Sequence, residues 1–117
     1  MSRIRIYHNP RCSKSRQTKS ILDEQGCEYD VIEYLQQPPS ASELKNILQI
    51  LNRKPLDIMR TGETLFKELG LSKKDDRPDD EWISIMLKHP KLIERPIVVS
   101  GSKAVMGRPP ENVLSIL

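Results

Sequence analysis

Apolar and polar residues alternate in two short segments near the N-terminus, and each segment predicts a β-strand. The first is Ile4-Arg5-Ile6-Tyr7 and the second is Tyr29-Asp30-Val31-Ile32-Glu33-Tyr34. Between them, four residues fall at helical spacing, namely Thr18, Ile21, Leu22 and Gln25. Gly26 follows at the position where a helix commonly ends. Residues 4–34 are therefore predicted to form two parallel strands joined by a helix.

The middle of the chain shows helical patterns and no strand. Ser40-Ala41-Ser42-Glu43 is a capping-box sequence with Ser40 as the N-cap. It precedes an amphipathic stripe made of Leu44, Ile47, Leu48 and Leu51. Pro55 is suited to begin a short helix over residues 56–60.

Two more helices are predicted before residue 90. One contains Leu65, Phe66 and Leu69 and ends at Gly70. The other is capped by Asp79 or Asp80 and places four residues on one face: Trp82, Ile85, Met86 and His89.

Alternation returns near the C-terminus as a hairpin. Residues 96–99 and 103–106 are compact apolar segments, and Ser100-Gly101-Ser102 forms the turn between them. A last helix is predicted from Pro110 to Leu117, with three residues facing inward: Val113, Leu114 and Leu117.

The predicted order is β-α-β, a helical insertion, and then β-β-α. This order is that of an α/β thioredoxin-like fold of the glutaredoxin type. We expect a single domain over residues 1–117, because this length supports one core and not two. Within it, residues 1–35 and 91–117 form the thioredoxin-like core, and residues 40–90 form the insertion.

Cys12 is the candidate reactive residue. It lies at the predicted turn between the first strand and the first helix, where unpaired backbone N–H groups and the helix dipole favour an anion. Arg11, Lys14 and Arg16 add positive charge nearby, with a possible contribution from His8. These conditions lower the pKa of a thiol and favour the nucleophilic thiolate.

The second cysteine, Cys27, does not form a dithiol motif with Cys12. Position 15, where a C-x-x-C motif has its second cysteine, is Ser15, so any redox chemistry at Cys12 needs an external thiol. A structural disulfide is not expected in a reducing cytosol, and Cys27 is interpreted as a half-buried structural thiol. With two cysteines and two histidines, we expect no zinc site and no other metal.

Composition excludes several classes of function. A net charge of +3 and an aromatic content of 4% argue against nucleic-acid binding. The chain has no run of apolar residues that would span a membrane, and its first residues do not resemble a signal peptide. We therefore expect a cytoplasmic protein, and we expect it to be a monomer.

Three arginines at element boundaries are candidates for binding an anionic substrate beside Cys12. They are Arg60, Arg95 and Arg108. The planar guanidinium group binds oxyanions through paired, charge-assisted hydrogen bonds. Periodicity does not show whether the three side chains converge, and each could instead be an exposed residue beside a turn.

Four segments of the chain together resemble the glutaredoxin-coupled arsenate reductase (ArsC) family. They are residues 6–16 (Ile-Tyr-His-Asn-Pro-Arg-Cys-Ser-Lys-Ser-Arg), 34–40, 87–99 (with Glu-Arg-Pro-Ile-Val-Val) and 107–111 (Gly-Arg-Pro-Pro-Glu). The resemblance covers the whole chain in order. The best-known members carry small residues around the cysteine, whereas this chain has Arg11, Ser13 and Lys14.

The resemblance implies a mechanism and a set of site residues. Cys12 falls on the catalytic cysteine, His8 on a histidine that helps to keep the thiol ionised, and Arg60, Arg95 and Arg108 on the oxyanion-binding arginines. The thiolate attacks arsenate, and glutathione and glutaredoxin complete the reduction to arsenite. Glutathione is thus a co-substrate, glutaredoxin a transient partner, and no cofactor stays bound. The resemblance also implies a cis peptide bond between Arg95 and Pro96.

Two other functions are compatible with the sequence. One is a glutathione-dependent oxidoreductase that acts on thiols or mixed disulfides. The other is an Spx-type regulator that binds RNA polymerase and uses Cys12 as a redox sensor, although such regulators usually carry the C-x-x-C pair that Ser15 interrupts here.

Overall fold

The computed structural model describes residues 4–117, which form two compact units. The sheet unit contains the chain up to Gln37 and Arg95–Leu117, and the helical unit contains Pro38–Glu94. Residues 91–94, which were predicted to belong to the core, are part of the helical unit. They are held there by backbone pairing, because the N–H of Glu94 donates to the carbonyl of Ile58 at 2.7 Å.

The sheet unit contains a four-stranded mixed sheet and the first helix. The strands are β1 (Ile4–Tyr7), β2 (Asp30–Ile32), β3 (Ile97–Ser100) and β4 (Lys103–Met106), and α1 spans Ser13–Glu24. The strand order is β2-β1-β3-β4, in which β1 pairs with β2 in parallel and the other pairs are antiparallel. This is the predicted thioredoxin-like arrangement, and it places the turn before α1 directly after a central strand.

Strand β2 is shorter than the alternating pattern predicts. Only Asp30–Ile32 pair with β1, because the chain turns after Ile32. The N–H groups of Gln36 and Gln37 both donate to the carbonyl of Glu33 and close that turn.

Helix α1 ends as the sequence predicts, at Gly26. The glycine has a φ of 69°, a left-handed conformation that a residue with a side chain rarely adopts. Its N–H donates to Asp23, and the N–H of Cys27 donates to Leu22 at 3.1 Å. This pair of bonds is a Schellman motif, which satisfies the last carbonyls of the helix.

The core of the sheet unit joins the sheet to α1 and to the C-terminal segment. Its buried residues are Ile6, Leu22, Val98, Val113 and Ile116. The C-terminal segment is a 3-10 helix over Pro110–Ile116, so its inward residues recur every third position. The prediction that Leu114 and Leu117 face inward is therefore wrong, since they are 47% and 46% exposed.

The helical unit contains three α-helices: α2 (Ala41–Leu51), α3 (Thr64–Glu68) and α4 (Asp79–Lys88). Short 3-10 turns occupy Pro55–Ile58 and Pro90–Leu92. Ser40 caps α2 as predicted, because its hydroxyl accepts a hydrogen bond from the N–H of Glu43 at 3.1 Å. Across residues 4–117, no helix is both long and apolar enough to cross a bilayer.

The predicted cap of α4 is wrong by one or two residues. Pro78 occupies the N-cap position, and Asp79 and Asp80 lie in the first turn. There their negative charges interact favourably with the positive end of the helix dipole. Trp82 and Met86 are buried as predicted, and the ring of Trp82 stacks on that of Phe66 at 6.3 Å between centroids.

Truncation of Leu22 tests the core that carries α1. Leu22→Ala should lower the free energy of unfolding by about 2–5 kcal/mol, because it leaves a cavity at a fully buried position. Urea denaturation measures the change, with Leu114→Ala as the exposed control. Equal losses in the two variants would contradict the assigned core.

Candidate active site

Cys12 occupies the N-cap position of α1. Its backbone is extended, with φ −93° and ψ 123°, and its carbonyl accepts the first helical hydrogen bond from Arg16 at 3.0 Å. The cysteine side chain makes no cap hydrogen bond of ordinary geometry. The backbone N–H groups of Ser15 and Lys14 therefore act on the sulfur as dipoles and weak donors.

Opposing influences set the ionisation of Cys12. Burial alone raises the pKa of the thiol, because the residue is 8% exposed. The N–H of Ser15, the guanidinium of Arg95 and the N–H of Lys14 act in the opposite direction. Their combined effect is the larger, so the pKa of Cys12 lies below its ordinary value. The site therefore favours a thiolate in a largely buried position.

Arg95 acts directly on Cys12, and Arg108 contacts Arg95. Arg95 is half-buried and interacts with the sulfur through both its charge and a side-chain hydrogen bond. Nη1 of Arg108 donates to the backbone carbonyl of Arg95 at 2.9 Å. The peptide bond between Arg95 and Pro96 is cis, as the resemblance implies, and that between Arg108 and Pro109 is also cis.

Arg60 belongs to the helical unit. Its Nη1 lies 2.9 Å from Oε2 of Glu63, and its backbone N–H donates to Leu92 at 2.7 Å. Glu63 also binds Lys91, with 3.2 Å between Oε1 and Nζ. The structure thus shows Arg60 in an ion pair within its own unit.

Sequence reasoning missed Ser15 as a member of the site. Its side chain is fully buried, and its hydroxyl oxygen lies 2.6 Å from Nδ1 of His8 and accepts a hydrogen bond from the N–H of Asn9 at 3.0 Å. The hydroxyl therefore fixes the residue whose N–H acts on the Cys12 sulfur. The available signal was the spacing of Ser15, Thr18 and Leu22, which form one buried stripe along α1.

His8 holds a proton less readily than an ordinary histidine. Burial lowers its pKa below the ordinary 6.5, and the charges of Lys19 and Arg16 lower it further, against an opposing effect of Glu33. This shift disfavours a positive charge on His8 beside Cys12. In the structure, His8 contacts the site through the Ser15 hydroxyl.

The basic side chains near Cys12 lie at the surface. Arg11, Lys14 and Arg16 are exposed, and Nη1 of Arg16 donates to the carbonyl of Pro10 at 2.9 Å. The influence of Lys14 on the pKa of Cys12 comes from its backbone N–H. The charge of the ammonium group, on which the sequence argument relied, is not among the causes.

Cys27 lies at the opposite end of α1 from Cys12. The twelve residues of the helix separate the two cysteines by roughly 18 Å, whereas a disulfide needs Cα atoms within about 7 Å. Both thiols are free, and Cys27 is half-buried against the core, as predicted. Among residues 4–117, no three His, Cys, Asp or Glu side chains are grouped to hold a metal ion.

Comparison with known proteins identifies close relatives of the chain. The family model described as "ArsC family" matches residues 7–116. An arsenate reductase from Neisseria meningitidis is 44% identical, with all of both chains covered, and an uncharacterised protein from Escherichia coli K12 is 47% identical over 97% of this chain and 96% of its own. A solved structure of an arsenate reductase from Vibrio cholerae is 50% identical, covers 97% of each chain and superposes with a TM-score of 0.92.

A titration of His8 tests its charge state. Because burial and nearby cations lower its pKa, the imidazole should protonate below pH 6.5 and be neutral at pH 7. NMR of the ring protons follows this step, and the half-buried His89 provides an internal comparison. A midpoint above pH 7 would contradict this expectation.

Substitution of Arg95 tests its action on the sulfur. Arg95→Gln should raise the pH midpoint of Cys12 alkylation, because the variant loses the positive charge that stabilises the thiolate. Arg95→Lys should raise it less, since the charge remains but the planar fork is lost. The measurement uses the Cys27→Ser background, so that one thiol reacts. Identical midpoints in all three proteins would remove Arg95 from the account.

Proposed function

The chain belongs to the ArsC family, and from this membership we propose that it is an arsenate reductase that uses the Cys12 thiolate as its nucleophile. The observation that carries the proposal is the combination at one place of a thiol with a lowered pKa and the Arg95 guanidinium. A tetrahedral oxyanion needs a cationic partner, and its attack needs an ionised sulfur. Cys12 supplies the sulfur from the turn before α1, and Arg95 supplies the cation from the segment before β3.

The proposed first step is substitution at arsenic without a change of oxidation state. The Cys12 sulfur forms a bond to arsenic(V), and one arsenate oxygen leaves as water after protonation. Arg95 and Arg108 hold the remaining oxygens through charge-assisted hydrogen bonds. For Arg60, the third family position, the support is the resemblance, and its guanidinium must exchange the Glu63 carboxylate for the substrate.

The later steps require thiols from outside the chain. Reduction of arsenic(V) to arsenic(III) takes two electrons, which two thiols supply when they form one disulfide. Cys27 is too far from Cys12 to be the second thiol without unfolding of α1. We assign this role to glutathione, with glutaredoxin as the transient partner that regenerates Cys12. The balanced result is arsenate and two glutathione molecules giving arsenite, glutathione disulfide and water.

The proposed chemistry does not use a bound cofactor or a metal. It requires a compartment in which glutathione stays reduced, as in the cytosol. A monomer suffices, because the nucleophile and the arginines all come from one chain.

A coupled assay tests the proposed activity. Arsenate should drive oxidation of NADPH through glutathione reductase when glutathione and glutaredoxin are present. Cys12→Ser should reduce the rate to background, because the serine hydroxyl does not ionise near neutral pH. The matched Cys27→Ser variant should retain the parent rate. Loss of activity in Cys27→Ser alone would contradict the assignment of the nucleophile.

The same preparation separates the two other functions. Reduction of a glutathionylated peptide without any response to arsenate would indicate a thiol oxidoreductase. Retention of RNA polymerase on the immobilised chain, with no reductase activity, would indicate a regulator of the Spx type.

A further inference from the structure

Gly107 and Pro96, which lie next to Arg108 and Arg95, pack against Thr18 of α1. Gly107 follows β4 and immediately precedes Arg108. A Cβ atom at Gly107 would lie 2.5 Å from Oγ1 of Thr18 and 2.7 Å from Cγ of Pro96, distances that real contacts do not show. Close packing favours glycine here, because the side chains of Thr18 and Pro96 occupy the space that a Cβ atom would need.

Hydrogen bonds join the same three residues. The hydroxyl of Thr18, which is fully buried, donates to the carbonyl of Lys14 at 2.9 Å, and its oxygen lies 3.5 Å from the carbonyl oxygen of Gly107. The N–H of Gly107 donates to the carbonyl of Pro96 at 2.9 Å. These contacts therefore connect Lys14, in the first turn of α1, to Pro96, the residue after Arg95, through Thr18 and Gly107.

Both ends of this chain act on the sulfur. The N–H of Lys14 lowers the pKa of Cys12 while the carbonyl of Lys14 accepts a hydrogen bond from Thr18, and Arg95 lowers the same pKa through its positive charge and a side-chain hydrogen bond. Nη1 of Arg108 closes the arrangement by donating to the carbonyl of Arg95. Thr18 and Gly107 touch neither the sulfur nor the two guanidinium groups in any of these contacts.

We propose that Thr18 and Gly107 are positioning residues that set the distance between the Cys12 turn and the segments carrying Arg95 and Arg108. The part that concerns the oxyanion rests on the proposed function, whereas the part that concerns Cys12 does not. A displacement near 1 Å at a reacting centre costs on the order of 10²-fold in rate, so a tight contact at this position has a large effect.

Two variants test the contact from opposite sides. Gly107→Ala forces a methyl group against Thr18 and Pro96 and should move the arginine segments away from α1. Thr18→Val preserves the shape of the side chain and removes the hydroxyl. Thr18→Ser keeps the hydroxyl and serves as the conservative variant.

The expected results separate positioning from stability. In Gly107→Ala, alkylation of Cys12 at neutral pH should slow and its pH midpoint should rise, and KM for arsenate should rise by about tenfold, with less change in kcat. Thr18→Val should change the alkylation rate, its pH midpoint and KM in the same direction, but by less than Gly107→Ala does. The values for Thr18→Ser should lie between those of Thr18→Val and the parent. All proteins are full chains in the Cys27→Ser background, and circular dichroism and urea denaturation report their folding.

The controls are Gly62→Ala, where a new Cβ meets no atom within 4 Å, and Thr64→Val at an exposed position. The proposal is overturned if folded Gly107→Ala and Thr18→Val show the alkylation profile of the parent and lose only stability. It is also overturned if the controls shift equally. If Gly107→Ala does not fold, the alkylation profile of Thr18→Val tests the proposal in its place. If the parent does not reduce arsenate but alkylation responds as expected, the proposed function fails and the positioning of Cys12 stands.

Discussion

The site depends on the balance between burial and ionisation at one sulfur atom. Burial disfavours a thiolate, because a charge in a poorly solvated position loses its hydration. The N-terminus of α1 offsets this cost with backbone N–H groups, and Arg95 adds a full positive charge. The balance favours the thiolate because these groups are fixed in place and need no rearrangement when the proton leaves.

Buried polar contacts hold those groups in place. Ser15 is fixed by His8 and Asn9, and this sets the direction of its N–H. The backbone of Cys12 itself is tied to the loop, because its N–H donates to the carbonyl of Asn9 at 3.0 Å. The neutral state of His8 fits this role, since a neutral imidazole exchanges a hydrogen bond with a hydroxyl in a buried site without adding a charge there.

Features that depend on local sequence were predicted well. The strand-turn-helix around Cys12, the Gly26 terminus and the Ser40 cap follow from residues within one or two turns of each other. The inward face of the C-terminal segment was predicted correctly only at Val113, because the segment forms a 3-10 helix, in which Val113 and Ile116 face inward.

The site was predicted only in part, for a related reason. Cys12 is identifiable from its neighbours, but the contact between Arg95 and its sulfur joins positions that are distant in sequence. Ser15 was missed because small polar residues in a helix usually face solvent, and its burial depends on tertiary packing. The sequence pattern also does not show that burial lowers the pKa of His8.

Under the proposed function, the Cys12 loop provides the single thiol and Arg95 provides the cationic partner of the oxyanion, while the resolving thiols come from other molecules. This division follows from Ser15, whose hydroxyl fixes the turn at the position where a dithiol enzyme has its second sulfur. The most direct test of the account is an NMR titration of the Cβ chemical shift of Cys12 in the full chain. We expect a midpoint below about 8.5, the value of a free thiol; a midpoint at or above that value would contradict the account.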